Sequence, residues 1–138
     1  VEKRHYQKAP ADDVSATPRA MEPFVLLRLA EAPAHGYEVA QALAALGFGR
    51  LVADASVLYK LLRGLEADGR ARSSWQAGAA GPPRRVYALT PAGEADLEVR
   101  AAELARQAER LADFAARYRA WHGRARRRGR RGGGAARA

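Results

Sequence analysis

Residues 54–89, DASVLYKLLRGLEADGR followed by ARSSWQAGAAGPPRRVYAL, decide the fold. Leu58, Leu61, Leu62 and Leu65 recur at helical spacing and mark a buried side, whereas Ser56, Tyr59, Lys60 and Arg63 fall largely on the opposite side. A helix divided in this way anchors through one face and leaves the other to meet a partner. Asp54 stands where an N-cap accepts from an amide of the first turn, and Gly69 stands where a left-handed C-cap residue belongs. Beyond Gly69, a strand-like run ending at Trp75 and a second from Arg84 to Leu89 flank AGAAGPP, a loop too long for a two-residue turn. A helix with a basic polar face, then a hairpin whose returning strand opens with Arg84 and Arg85, is the outline of a winged helix-turn-helix. In that arrangement the helix enters the major groove and the hairpin lies against the backbone or minor groove.

The whole sequence has 138 residues, 48% of them apolar, which suits one compact domain with extra length at its ends. It has no run of eighteen apolar residues, and VEKRHYQKAPADD lacks the apolar core of a signal peptide, so neither a membrane partner nor secretion is expected. The absence of cysteine removes disulfides and thiolate metal sites, and a cytoplasmic, nucleoid-associated location is the expectation. The net charge of +9 is unevenly placed: −1 over residues 1–49, +4 over 50–90, −1 over 91–122 and +7 over 123–138. A surplus concentrated on the helix and hairpin is what approach to phosphates requires, although an Arg- and Ala-rich composition can itself collect such a surplus.

Taken in order, residues 1–20 combine charge with Pro10 and Pro18 and show no apolar period, so a flexible N-terminal arm is expected there. From Pro23, FVLLRLAEAP reads as a short helix, apolar nearly all round and stopped at Ala32-Pro33. In HGYEVAQALAALGFG, Tyr37, Ala40, Leu43, Ala44 and Leu46 keep helical spacing, with Gly47 and Gly49 ending the helix. Three helices and a hairpin result.

These pieces together resemble the PadR family of transcriptional regulators over about residues 21 to 120. The resemblance rests on HGYE at 35–38, on Leu58-Tyr59 with Leu62, Leu65-Glu66 and Gly69, and on Gly81-Pro82-Pro83-Arg84-Arg85 leading to Tyr87 and Leu89-Thr90-Pro91-Ala92-Gly93. It implies a dimeric winged-helix repressor whose C-terminal helix builds the dimer, with ligands that are mostly small aromatic or planar compounds. Two departures stand out. Val57 occupies a position where the family commonly has Ser or Thr, with Ser56 a substitute one residue earlier. Gly64 lies inside the reading helix, at a cost of about 1 kcal/mol relative to Ala.

Thr90 as N-cap, Pro91 at the first helical position and Glu94, Asp96 and Glu98 near the positive end of the dipole open the longest helix. Leu97, Ala101, Leu104, Ala108, Leu111, Ala115 and Tyr118 alternate at four and three residues, a heptad seam. A domain this small cannot cover roughly 45 Å of helix, so a homodimer through Leu97, Leu104, Leu111 and Tyr118 is expected. Phe114, Tyr118 and Trp121 read either as walls of an inter-subunit cavity for a planar effector or as dimer core. Trp75 is expected to pack the hairpin against the helices rather than to stack on a base. GRARRRGRRGGGAARA, residues 123–138, reads as a basic disordered tail, either a DNA-backbone clamp or a solvated extension.

No enzyme is expected. His5, His35 and His122 are too dispersed for a metal or nucleophile constellation, GAAGPP lacks the Lys and hydroxyl of a P-loop, and no cofactor is implied. The sequence therefore predicts a mainly α (α+β) chain: an arm at 1–20, a winged helix-turn-helix at 21–90, a C-terminal dimerisation helix at 91–122 and a tail at 123–138. Its expected partner is a double-stranded, pseudo-palindromic DNA operator. Lys60 and Arg63 are assigned to base edges or nearby phosphate, Tyr59 and Ser56 to phosphate, and Arg84 and Arg85 to the backbone or minor groove. The rival readings are a winged helix that docks on a partner protein and a sequence-indifferent DNA-coating protein driven by the tail.

Overall fold

The computed structural model describes residues 16–134 with the exception of residue 79, so most of the expected arm and the last four residues lie outside the described residues. The first helix, α1 (Pro18–Glu31), starts five residues before the apolar run that announces it. Thr17 accepts from the Ala20 amide at 3.2 Å and Pro18 occupies the first turn, so the end of the expected arm is helical. Thr17-Pro18 is the same start signal as Thr90-Pro91.

Between the first two helices lies a strand that periodicity does not reveal, β1 (Ala34–His35), followed directly by α2 (Gly36–Leu43). His35 caps α2 reciprocally: its Nδ1 accepts from the Glu38 amide at 3.3 Å, and the Glu38 carboxylate accepts from the His35 amide at 3.3 Å. Gly36, Val39 and Leu43 form the buried stripe of α2, while Tyr37 and Leu46 are exposed, which corrects the stripe read from the sequence. A π turn at Ala44–Phe48 brings the chain round at Gly47, whose φ of 95° suits a residue without Cβ. Gly49 then begins a short helix, α3 (Gly49–Val52), rather than ending one.

The reading helix, α4 (Ala55–Ala67), is bounded as its sequence indicates. Asp54 accepts from both the Ser56 amide, at 2.9 Å, and the Ser56 hydroxyl, at 2.7 Å, and Gly69 closes the other end with φ 73°. Gly64 leaves the helix unbroken. The wing consists of β2 (Ala71–Gln76) and β3 (Arg84–Leu89), paired antiparallel from Ala71 opposite Leu89 to Gln76 opposite Arg84. β1 adds to the far side of β3, Ala34 opposite Tyr87 and His35 opposite Val86, giving a three-stranded sheet of order β1-β3-β2.

One core joins these elements. Met21, Val25, Leu26 and Leu29 of α1 meet Val39 and Leu43 of α2, Leu58, Leu62 and Leu65 of α4, and Ala34, Ala71 and Tyr87 of the sheet. Each large aliphatic side chain withdrawn from water contributes about 1.5–3 kcal/mol, so three leucines of α4 fix that helix firmly on one side.

The last helix, α5 (Pro91–Gly134), is locked at its base. Thr90 Oγ1 accepts from the Gly93 amide at 3.1 Å and donates to the Gly69 carbonyl at 2.6 Å. Arg70 draws together Glu22 of α1, Asp68 at 2.7 Å and Asp96 of α5 at 2.8 Å, and Arg100 reaches Glu22 at 3.2 Å. Burial alone pulls the Arg70 pKa down, but hydrogen bonds to Asp96, Glu22 and Asp68 outweigh it and push the value above the ordinary arginine range. Leu97, assigned from the heptad to dimerisation, packs instead against the core of its own domain, because the first turns of α5 still lie on that domain.

The winged unit closes at Arg100, and residues from Ala101 form a second unit. Within it α5 continues to Gly134, so the segment expected as a disordered tail from residue 123 is helical as far as it is described. Six of residues 123–134 are Arg, a good helix former, and extending an existing helix avoids the cost of nucleation; against this stand five Gly, at about 1 kcal/mol each relative to Ala.

Candidate nucleic-acid interface

A cleft of about 670 Å³ opens between the reading helix and the wing. Ser56, Tyr59 and Arg63 of α4 form one wall, His35, Gly36 and Tyr37 at the β1–α2 junction a second, and Trp75, Pro83, Arg84, Arg85 and Tyr87 of the wing a third. Among the described residues, no aspartate or glutamate lines it. The cleft therefore combines guanidinium groups with aromatic faces, a chemistry suited to phosphates and the rings beside them.

Each assigned side chain has a definite place. Lys60 and Arg63 are exposed, and among the described residues neither makes an ion pair. Lys60 lies outside the cleft lining, while Arg63 enters it. Tyr59 is set by Gly36: a Cβ there would lie 3.0 Å from the Tyr59 hydroxyl oxygen and 3.1 Å from its ring. The Ser56 hydroxyl gives its proton to Asp54, so its assignment to phosphate competes with capping of α4. That hydrogen bond, followed by the one from the Ser56 amide, holds the Asp54 carboxyl below its ordinary pKa. Val57 is half-buried against the core.

The two wing arginines differ. Arg84 is exposed, with a guanidinium nitrogen 3.1 Å from His35 Nε2. Arg85 donates to Ser73 Oγ at 2.8 Å and to Glu66 at 3.1 Å, and its guanidinium lies 5.9 Å from the Trp75 ring centre and 5.8 Å from that of Tyr87. Glu66 belongs to α4, so Arg85 ties the wing to the reading helix. Its first role is positional. Tyr87 is buried beside it, and burial pushes the phenol pKa up.

Two residues of the cleft escape the sequence reading. Trp75, expected to be packed inside, is 68% exposed: it shares a face of β2 with the buried Ala71 and with Ser73, but stands near the far end of the strand, beyond the core. Tyr37 is 66% exposed and stacks beside His35 at 6.4 Å between ring centres. The available signal lay in the spacing: Tyr37 falls off the stripe of Gly36, Val39 and Leu43 and has no place in the core.

In the second unit, Leu104, Leu111, Phe114, Tyr118 and Trp121 are exposed. Tyr118 lies 6.0 Å from Trp121 and stacks on His122 at 5.7 Å. Among the described residues no group of three or more His, Asp or Glu could hold a metal ion, and no single helix is long and apolar enough to cross a membrane.

Four helices, one of them a single turn, a short first strand and a two-stranded wing, followed by a long helix, define a winged-helix protein. The family model of the PadR-like transcriptional regulators matches residues 25–99, more than half of the chain, and the chain belongs to that family. A PadR-like transcription factor from Bacteroides fragilis is 29% identical, with 70% of this chain and 91% of that one covered at a TM-score of 0.58. A PadR family regulator from Eggerthella lenta is 26% identical over 70% of this chain and 83% of its own, at 0.51. A PadR-like regulator from Bacillus cereus shares the fold at 0.63 with 21% identity, covering 70% of this chain and 91% of its own. No curated protein matches the chain.

Proposed function

We propose that this transcriptional regulator acts as a homodimeric repressor that recognises a pseudo-palindromic operator. The observation that carries the reading is the acid-free cleft between α4 and the wing, flanked by exposed cationic side chains on both elements. Lys60 and Arg63 meet base edges or adjacent phosphates in the major groove, since Arg suits bidentate recognition of guanine. Tyr59 and Arg84 hold the sugar-phosphate backbone, with Tyr37 and Trp75 packing against it. Ser56 and Arg85 support them, the first by donating to Asp54, the cap of α4, and the second by fixing the angle of the wing.

Leu104, Leu111 and Tyr118 pair with a second copy, placing two reading helices about one DNA turn, or 34 Å, apart. Exposed apolar side chains in one helical line favour this pairing. A planar effector held by Phe114, Tyr118 and Trp121 would change the angle between the paired helices and release the operator. The protein works in the cytoplasm on nucleoid DNA and performs no catalysis.

Selection of duplexes from a random pool at physiological salt tests the reading. A recovered palindromic motif, lost with Lys60→Ala and Arg63→Ala, is the expected result. Equal retention of all duplexes before and after substitution would overturn it.

A further inference from the structure

From Phe114 to Gly134, α5 carries eight arginines and no acid. Six of the arginines fall between Arg124 and Arg131, all exposed, and among the described residues none of the six makes an ion pair. At 100° per residue, Arg124, Arg128 and Arg131 share one side, Arg126 and Arg130 another, and Arg127 lies between them, so positive charge wraps about 200° of the helix. The remaining arc holds His122, Ala125, Gly129 and Gly132, in line with Leu111 and Tyr118. The arginines thus lie outside the line assigned to dimerisation. A second copy packed antiparallel does not neutralise them, because residues 91–113 hold six acids against three arginines of their own.

We infer that the arginine-wrapped end of α5 is a second nucleic-acid surface, which grips the phosphate backbone of duplex DNA without reading its sequence. Charge on both flanks of a helix matches a groove bordered by two phosphate strands, and a groove of B-DNA admits a helix. All the cations are Arg, the side chain that binds phosphate through two parallel hydrogen bonds. Residues 123–134 include no aromatic side chain on which single-stranded bases would stack, and no large apolar side chain to enter a membrane or anchor a protein partner. The surface borrows from the proposed function only the choice of DNA as the polyanion.

The test compares the full chain with a variant in which Arg124, Arg126, Arg127, Arg128, Arg130 and Arg131 are replaced by Gln, and with a second in which they are replaced by Lys. Both replacements keep good helix formers, and circular dichroism checks the helix. Binding to a 20-bp duplex of scrambled sequence is measured by fluorescence anisotropy across a salt series. The Gln variant should bind roughly 100-fold more weakly near 0.1 M salt. Its salt slope should be shallower by about 3–5, within the limit of ~0.9 per phosphate contact. The Lys variant should keep most of the slope, and polyglutamate should not displace the duplex. An unchanged slope in the Gln variant, or a Lys variant as weak as the Gln variant, would overturn the inference. Failure of the operator reading would show elsewhere, as a missing preference between selected and scrambled duplexes in the full chain.

Discussion

At Gly93 the packing admits a hydrogen atom and little else. A Cβ there would overlap the Arg70 carbonyl oxygen and lie 2.5 Å from Leu89 Cδ1, and the carbonyl belongs to backbone that cannot yield. Gly93→Ala should therefore destabilise the winged unit by about 2 kcal/mol, measured by urea denaturation. At Gly36 the neighbour is the mobile ring of Tyr59 instead. Gly36→Ala should cost under about 1 kcal/mol of stability yet weaken operator binding several-fold, because the displaced ring stands in the cleft. The residue scale was only half legible. The Thr90-Pro91-Ala92-Gly93 motif could be quoted from the sequence, but the crowding that forces glycine came from Arg70 and Leu89, brought there by the wing. Leu97 has the same history: its heptad spacing is real, and packing against the core of its own unit decided its use.

Helix ends were legible because their physics is local. As caps, Asp54, Gly69 and Thr90 act within three or four residues of themselves, and each behaves as its identity indicates. β1 was not legible, since two residues carry no period and its partner, β3, lies some fifty residues later. The cap of α4 also sets a pH dependence. Hydrogen bonds from Ser56 depress the Asp54 pKa in the folded state, so the ionised carboxylate's contribution is fully present above its unfolded value near 3.8 and is lost as pH falls through the lower folded value. Thermal melts of wild type and Asp54→Ala should differ at neutral pH and converge under strong acid. Curves that stay parallel down to pH 2 would rule out the cap as the cause.

Within the winged unit, the first turns of α5 are held by an ionic cluster. Arg70 is 20% exposed and serves three carboxylates, of which Asp68 at 60% exposure adds little. Arg70→Met should cost about 2 kcal/mol, because Glu22 and Asp96 are left facing each other with Arg100 alone to offset them. On the proposed pairing, Leu111→Glu together with Phe114→Glu should yield a monomer in sedimentation velocity while leaving the fold of residues 16–100 unchanged. A dimer that survives both substitutions would place the pairing surface elsewhere.

The bond that Arg85 makes with Glu66 and Ser73 has a mechanical consequence. The hairpin and the reading helix are fastened as one jaw, so in the proposed dimer strain arriving from afar would open or narrow the gap between two jaws without reshaping either. Sensitivity to a signal would then be encoded in distance, while the choice of bases stays fixed.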